Sequence, residues 1–243
     1  MKETISTPRG TLYLVPNLLG ICDPTDVLPA RTLAIARQLS HFIVETPKVA
    51  RAFLKTVSPQ RVIADIAMLP CDPAKAALEQ CAVWLKAAVD VGVVSDAGCP
   101  GMADPGATFV ALAHQLGAKV VPLVGPSSVL LGLMASGMNG QLFTFHGYLP
   151  SKAPERDAAL KAIDRSVNVT RGTHVFIETP YRNAPMIDAI CTTVSGNIDL
   201  CVAQSLSTAK ETIVCKPISE WTDADRLRLS QKEPTLFLLG TSQ

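Results

Sequence analysis

Little of this 243-residue sequence is aromatic (5%) or charged (18%). Its 22 basic and 21 acidic residues nearly cancel, leaving a formal net charge of +1. No whole-chain field therefore draws in nucleic acid or a membrane surface, and such a partner would need a local patch. No apolar run approaches the roughly 18 residues of a membrane span. The opening MKETISTPRG lacks the apolar stretch of a signal peptide, so the expected location is the cytoplasm. There is no C-x-x-C pair and no H-E-x-x-H. The seven cysteines (Cys22, Cys71, Cys81, Cys99, Cys191, Cys201, Cys215) read as reduced thiols, several of them in the core. The four histidines stand apart, and no metal site is expected. Repeats and low-complexity segments are absent. What is present is hydrophobic: 48% of residues, enough to bury a sizeable core and to exclude global disorder. The length suits one large α/β unit or two smaller ones.

The first half alternates short β-rich runs with helical spacing. TLYLV (11–15), HFIVE (41–45), RVIADIA (61–67), VGVVS (91–95) and AKVVPLV (118–124) read as strands. Residues 29–39, 47–56, 73–90 and 105–116 read as helices, the last with Asp104 and Pro105 as N-cap and first-turn pair. VGVVS is continuously apolar, as a strand buried on both faces should be. This alternation predicts a parallel sheet flanked by helices. The second half differs. A helix near 127–136, a strand at 142–146, a basic helix at 154–165, a strand at 173–178 and a helix at 182–194 precede 199–204 and 211–215, close enough for a hairpin. The strand 235–240 follows. The fold class expected is α/β, with two α/β domains: a parallel sheet in 1–124 and a mixed sheet in 125–243.

The densest chemical signal is SDAGCPGMADPG over residues 95–106. A buried strand ends there in a loop rich in glycine and proline that leads to a helix. In open α/β sheets, ligands bind beyond the carboxyl ends of the strands, and glycine lets backbone approach them closely. Asp96 stands just past the strand end. It could order the loop or accept hydrogen bonds from a ligand ammonium or hydroxyl. The run is neither G-x-G-x-x-G nor a G-x-x-x-x-G-K-[ST] phosphate loop. A second loop, VPLVGPSS (121–128), also joins a strand to a helix. Ser127 or Ser128 could cap that helix, or present hydroxyls and amides to a ligand carboxylate. Glu45, at another strand end, could orient or deprotonate an acceptor. Glu178 and Arg182 flank the turn TPYRN and could pair with each other or touch a ligand, with Tyr181 beside them. His146 is either a ligand-facing residue or a satisfied structural histidine. Residues 151–171 carry a small basic excess, which fits a solvated helix face or phosphate contacts.

The order VSDAGCPGMADPG, VVPLVGPSS, FHGYLPSKAPER, HVFIETPYR, running between Gly10 and Gly240, resembles the tetrapyrrole methylase superfamily, nearest its ribosomal RNA small subunit methyltransferase I branch. That resemblance implies two α/β domains with S-adenosylmethionine in the cleft between them, held mostly through backbone. Carried onto this chain it implies cofactor contacts at Pro16, Asp96, Ala97, Gly98, Met102, Ala103, Asp104, Ser127, Ser128 and Glu178, with Leu14 to Asn17 at the entrance. Glu45 and Arg182 are the candidate catalytic residues. It also implies a ribosomal RNA acceptor methylated on a ribose 2′-oxygen, and a homodimer. The donor's methyl is already activated, so the enzyme mainly aligns an acceptor, and no loud triad is required.

The chain departs from the branch in three places. VPNLLGI (15–21) replaces P-T-P-I-G-N-L, VETPK (44–48) replaces A-E-D-T-R, and QSLSTAKE (204–211) replaces R-E-L-T-K-x-x-E. The cofactor loops are kept better than the acceptor-side segments. Two rivals follow: methylation of a tetrapyrrole or small metabolite, and a non-catalytic relative that only binds ligand or partner.

Overall fold

A computed structural model describes residues 8–72, 74–229 and 232–242. Most of the N-terminal decapeptide used for the signal-peptide reading, and Pro73 at the start of the expected 73–90 helix, lie outside the described residues. The chain forms two compact units, Met1–Pro126 and Ser127–Gln243.

The first unit holds β1 (Thr11–Leu14), α1 (Pro24–Val27), α2 (Ala30–Gln38), β2 (His41–Val44), α3 (Pro47–Val57), β3 (Ala67–Pro70), α4 (Ala74–Lys86), β4 (Val91–Val94), α5 (Ala107–Gln115) and β5 (Lys119–Pro122). All five strands run parallel in the order β3-β2-β4-β1-β5. Successive strand residues face opposite sides, and the core divides accordingly. Phe42 and Val44 pack with α2 and α3 on one face. Ile43, Val91 and Val93 pack with α4 and α5 on the other. The VGVV run of β4 is wholly buried, as its unbroken apolar character predicted. Gly92 is required there because a Cβ would come within 2.7 Å of the Phe42 ring.

RVIADIA is the one predicted strand that mostly is not one. Residues Ile63–Asp65 form a 3-10 turn, and pairing starts only at Ala67. The Arg61 guanidinium donates to the carbonyls of Ala36, Arg37 and Leu39 at the end of α2. That anchor holds the chain away from the sheet until Ala67. Asp104 and Pro105 likewise do not start α5. Gly106 (φ 152°) takes the N-cap position, Gly101 N–H donates to Pro105 O at 3.2 Å, and Asp104 is left in the loop.

The second unit holds α6 (Ser128–Ser136), β6 (Phe143–Tyr148), α7 (Ala153–Thr170), β7 (Thr173–Glu178), α8 (Asn183–Thr193), β8 (Asp199–Gln204), β9 (Thr212–Pro217), α9 (Asp223–Leu229) and β10 (Thr235–Gly240). The strand order is β6-β7-β10-β8-β9. Only β6 and β7 are parallel, so this sheet is mixed, and β8–β9 is the expected hairpin. Phe176 and Phe237 are cross-strand partners with rings stacked 5.5 Å apart. Leu160, Ile163 and Val167 of α7, at helical spacing, pack over them with Met186, Ile187 and Ile190 of α8. That stripe carries α7 beyond the expected end at 165. Gly132 of α6 comes so close to β10 that a Cβ would meet Leu236 at 2.3 Å.

One contact joins two loops of the first sheet. Gly125, after β5, lies against Pro16, after β1, and a Cβ at 125 would stand 2.3 Å from the Pro16 Cβ. A proline ring cannot swing aside as a leucine tip can. Gly125→Ala is expected to lower stability by about 1–3 kcal/mol, read from the urea midpoint at unchanged slope.

Candidate functional site

The parallel order reverses direction at β1: β2 and β3 lie beyond β4 on one side, and β5 lies on the other. Such a switch opens a crevice at the carboxyl ends of the strands. The loops after β1, β2, β4 and β5 are tied together at those ends by side chains.

Asn17 is the tie between the β1 and β4 loops. It is buried, and its Nδ2 donates to Ser95 O at 3.1 Å and Asp96 O at 3.0 Å. Its Oδ1 accepts from Leu18 N–H at 2.8 Å, and its own N–H donates to Gly98 O at 2.9 Å. Every polar atom of the side chain is therefore occupied in satisfying loop backbone.

Glu45 and Asp96 tie the β2 and β4 loops reciprocally. Asp96 N–H donates to Glu45 Oε2 at 2.9 Å. In return the Asp96 carboxylate accepts from Thr46 N–H at 3.0 Å and from the Thr46 hydroxyl at 2.7 Å. Bonds to ionised acceptors are the stronger kind. Glu45 Oε1 accepts no hydrogen bond from the described residues and stays available. Asp104 is the third carboxyl of the group. Burial, then the Glu45 and Asp96 charges, push its pKa up to about 6, with a Ser95 hydrogen bond opposing.

Between Asp96 and Asp104 the loop presents backbone more than side chain. Gly98 and Gly101 have φ of 64° and 85°, and Ala103, a residue that seldom adopts it, has 65°. Ala97, Met102 and Ala103 are exposed, whereas Gly98 is buried. Cys99 points its thiol at Pro126 O, 3.4 Å away, and burial raises its pKa.

The structure thus brings Pro16, Glu45, Asp96, Ala97, Gly98, Met102, Ala103 and Asp104 to one end of the first sheet. The remaining candidates belong to the second unit. Ser127 occupies the N-cap position of α6, but its side chain makes no cap bond. Glu178 is buried at the end of β7 and accepts from Arg182 at 2.6 Å (Nη2) and 2.8 Å (Nε) and from Thr179 N–H at 2.6 Å. That arrangement is a structural ion pair around the TPYR turn. Tyr181 is exposed, with the Arg182 guanidinium 5.8 Å from its ring centre. His146 has a partner that sequence reasoning missed. Its Nε2 lies 2.7 Å from Nδ1 of His174, whose Nε2 lies 2.9 Å from the Ser166 hydroxyl. Burial lowers the pKa of both rings. The roles of Asn17 and Thr46 were also missed. The only hint is a hydrogen-bonding side chain one or two residues past a strand end, a signal too common to single them out.

Removing the Asn17 amide would leave the buried Ser95 carbonyl and the part-buried Asp96 carbonyl without this donor. Asn17→Ala is expected to cost about 2–3 kcal/mol, checked by denaturant unfolding, and to weaken ligand binding at the Asp96 loop in the same preparation.

No family model matches the chain. Among curated relatives, it is 36% identical to the ribosomal RNA small subunit methyltransferase I of Vibrio cholerae serotype O1, over 90% of this chain and 74% of the relative. It is 28% identical to the protein of the same name from Bacillus subtilis strain 168, over 90% and 72%. Among solved structures, uroporphyrin-III C-methyl transferase from Thermus thermophilus complexed with S-adenyl homocysteine superposes with a TM-score of 0.55 at 18% identity, over 95% of this chain and 97% of that one. The structural likeness establishes the fold, two α/β units with a parallel and a mixed sheet. The sequence identity, sustained over most of both chains, goes further: this chain belongs to the ribosomal RNA small subunit methyltransferase I family.

Proposed function

We propose that the protein transfers a methyl group from S-adenosylmethionine to a ribose 2′-oxygen of ribosomal RNA, acting in the cytoplasm as a homodimer. The observation that carries this reading is the 36% identity to a ribosomal RNA small subunit methyltransferase I across nine tenths of the chain.

S-adenosylmethionine supplies an activated methyl on a cationic sulfonium. The residues at the sheet end fit such a ligand. The exposed backbone of Ala97, Met102 and Ala103 is offered to a ligand chiefly through Ala97 N–H, Met102 C=O and both groups of Ala103, since Ala97 C=O, Gly98 C=O and Met102 N–H are bonded within the loops. Glu45, Asp96 and Asp104 give the place a negative field, which favours a ligand carrying ammonium and sulfonium charges. Pro16, fixed by Gly125, gives a rigid wall. Ser127 and Ser128 remain candidates for a ligand carboxylate. Glu45 is positioned by its bond to Asp96 N–H and keeps Oε1 free, so it is the group proposed to accept or orient the acceptor hydroxyl proton. Arg182, held by Glu178 through Nε and Nη2, is the second unit's candidate catalytic residue.

The raised Asp104 pKa makes the field depend on pH. The carboxyl takes up a proton as pH falls through about 6, so one of three negative charges is lost below that value. Calorimetry is expected to give micromolar S-adenosylmethionine binding, on the order of −8 kcal/mol at pH 7.5, weakening as pH falls through 6. S-adenosylhomocysteine, which lacks the sulfonium charge, should weaken less. Asp104→Asn should flatten the pH dependence and lower affinity at pH 7.5. Because the folded state disfavours this charge at neutral pH, the same change should raise stability there by about 1 kcal/mol, after discounting for solvent screening of a half-exposed group. A flat wild-type profile would remove Asp104 from the donor site.

The reaction itself is tested with labelled S-adenosylmethionine and small ribosomal subunits or free small-subunit RNA. Mass spectrometry of the digested RNA should find a 2′-O-methyl nucleoside, lost in Glu45→Gln. Methyl on a base, on a tetrapyrrole or on a small metabolite would assign a different acceptor. Donor binding without transfer to any of these would leave a non-catalytic relative.

A further inference from the structure

Charge in the first unit is segregated in a way that the whole-chain balance conceals. Residues 29–61 contain six cations, Arg31, Arg37, Lys48, Arg51, Lys55 and Arg61, and a single acid, Glu45. Glu45 is committed to the Asp96 loop. The cations divide by position. Arg37, Lys55 and Arg61 lie toward the ends of α2 and α3 and bind backbone: Arg37 Nε to Val57 O at 2.6 Å, Lys55 Nζ to Pro59 O at 2.5 Å, Arg61 to three carbonyls at the end of α2. Cations near helix C-termini complement the helix dipole. A carbonyl acceptor fixes such a side chain without cancelling its charge.

Arg31, Lys48 and Arg51 are different. All three are exposed, and none has an ion pair or side-chain hydrogen bond among the described residues. Arg31 and Lys48 are the second residues of α2 and α3, and neither helix has an acid in its first turn. Positive charge at a helix N-terminus opposes the dipole, so folding does not account for these two. Both helices start on the carboxyl side of the sheet. Thr32, next to Arg31, donates its hydroxyl to Val124 O in the loop after β5 at 2.8 Å. Thr46, two residues before Lys48, is the residue bound by Asp96. Arg51 is three residues on from Lys48 and so shares its side of α3. The three cations therefore stand, without a direct ion pair, on the rim of the site at the sheet end, around the Glu45, Asp96 and Asp104 carboxyls.

We propose that the first turn of α2 and the first two turns of α3 form a phosphate-binding rim, in which Arg31, Lys48 and Arg51 hold the RNA backbone beside the nucleotide to be methylated. This rests on the reading that the acceptor is RNA. A backbone grip also suits a chain with so few aromatic residues, which provides no stacking platform for bases. Lys48 sets the register, because the Thr46–Asp96 bonds fix its distance from the donor loop.

The test measures binding of a labelled single-stranded small-subunit RNA fragment between 50 and 300 mM salt by fluorescence anisotropy. Wild type is compared with a triple variant, Arg31→Ala, Lys48→Ala and Arg51→Ala. Lys86→Ala with Lys119→Ala, at the end of α4 and the start of β5 on the opposite, amino end of the sheet, is the control. Each phosphate contact to a single strand contributes about 0.7 to the slope of log affinity against log salt. The triple variant should lose about 2 from that slope and about tenfold or more in low-salt affinity, with S-adenosylmethionine affinity by calorimetry unchanged. The control should keep the wild-type slope. An unchanged slope in the triple variant, or an equal loss in the control, would overturn the rim while leaving the RNA reading intact. Wild type that binds no RNA, or that binds anionic phospholipid vesicles instead, would overturn both.

Discussion

Three strand ends of the first sheet are held in register by the exchange of hydrogen bonds between Asp96, Glu45 and Thr46, with Asn17 completing the set from β1. Everything proposed for the site depends on this exchange. It consumes charged groups without pairing them to opposite charges: the carboxylates accept from backbone amides and a hydroxyl. The cluster therefore stays negative, and the third carboxyl, Asp104, has its pKa raised first by burial and then by that negativity. A salt bridge in the same place would have ordered the loop equally well and abolished the field.

The second unit shows the opposite use of charge. Glu178 is buried against Arg182 and two groups of Thr179, so its negative charge is spent on building the turn after β7. Two sequence candidates of similar appearance, an acid at the end of a buried strand followed by Thr-Pro, thus have different electrostatic outcomes. Glu45 also precedes Thr-Pro, but its neighbours include two further carboxyls and no cation bound to it. The bound cation distinguishes the two: Arg182, four residues on, neutralises Glu178, whereas Glu45 meets only the backbone of Asp96, distant in sequence.

Much of the fold was legible because its signals are local. The apolar VGVV run, the alternation of strands and helices in the first half, and the closely spaced strands 199–204 and 212–217 each follow from period and propensity. RVIADIA failed for a non-local reason: Arg61 is captured by the carbonyl end of α2, and no pattern within the run records that. Asp104 and Pro105 looked like a helix start because Asp-Pro commonly is one, but the backbone freedom of Gly106 moved the start past them. The loops of the site were recognisable from their order along the chain. The bonds linking them were not, since Asn17 to Ser95 and Thr46 to Asp96 are contacts made only when parallel strands align. The basic rim was hidden for the simplest reason. A segment of 33 residues with six cations and one acid disappears in a total of 22 against 21.

Arg31 and Lys48 occupy positions where an acidic side chain would serve the helix better. A programme that optimised this protein for heat resistance alone, by sequence statistics or by helix-dipole rules, would replace both early and be rewarded for it. With the rim gripping phosphates, the result would be a sturdier protein that approaches its acceptor more slowly and holds it less well. The two requirements compete for the same pair of residues, and the sequence as it stands has been settled in favour of recognition.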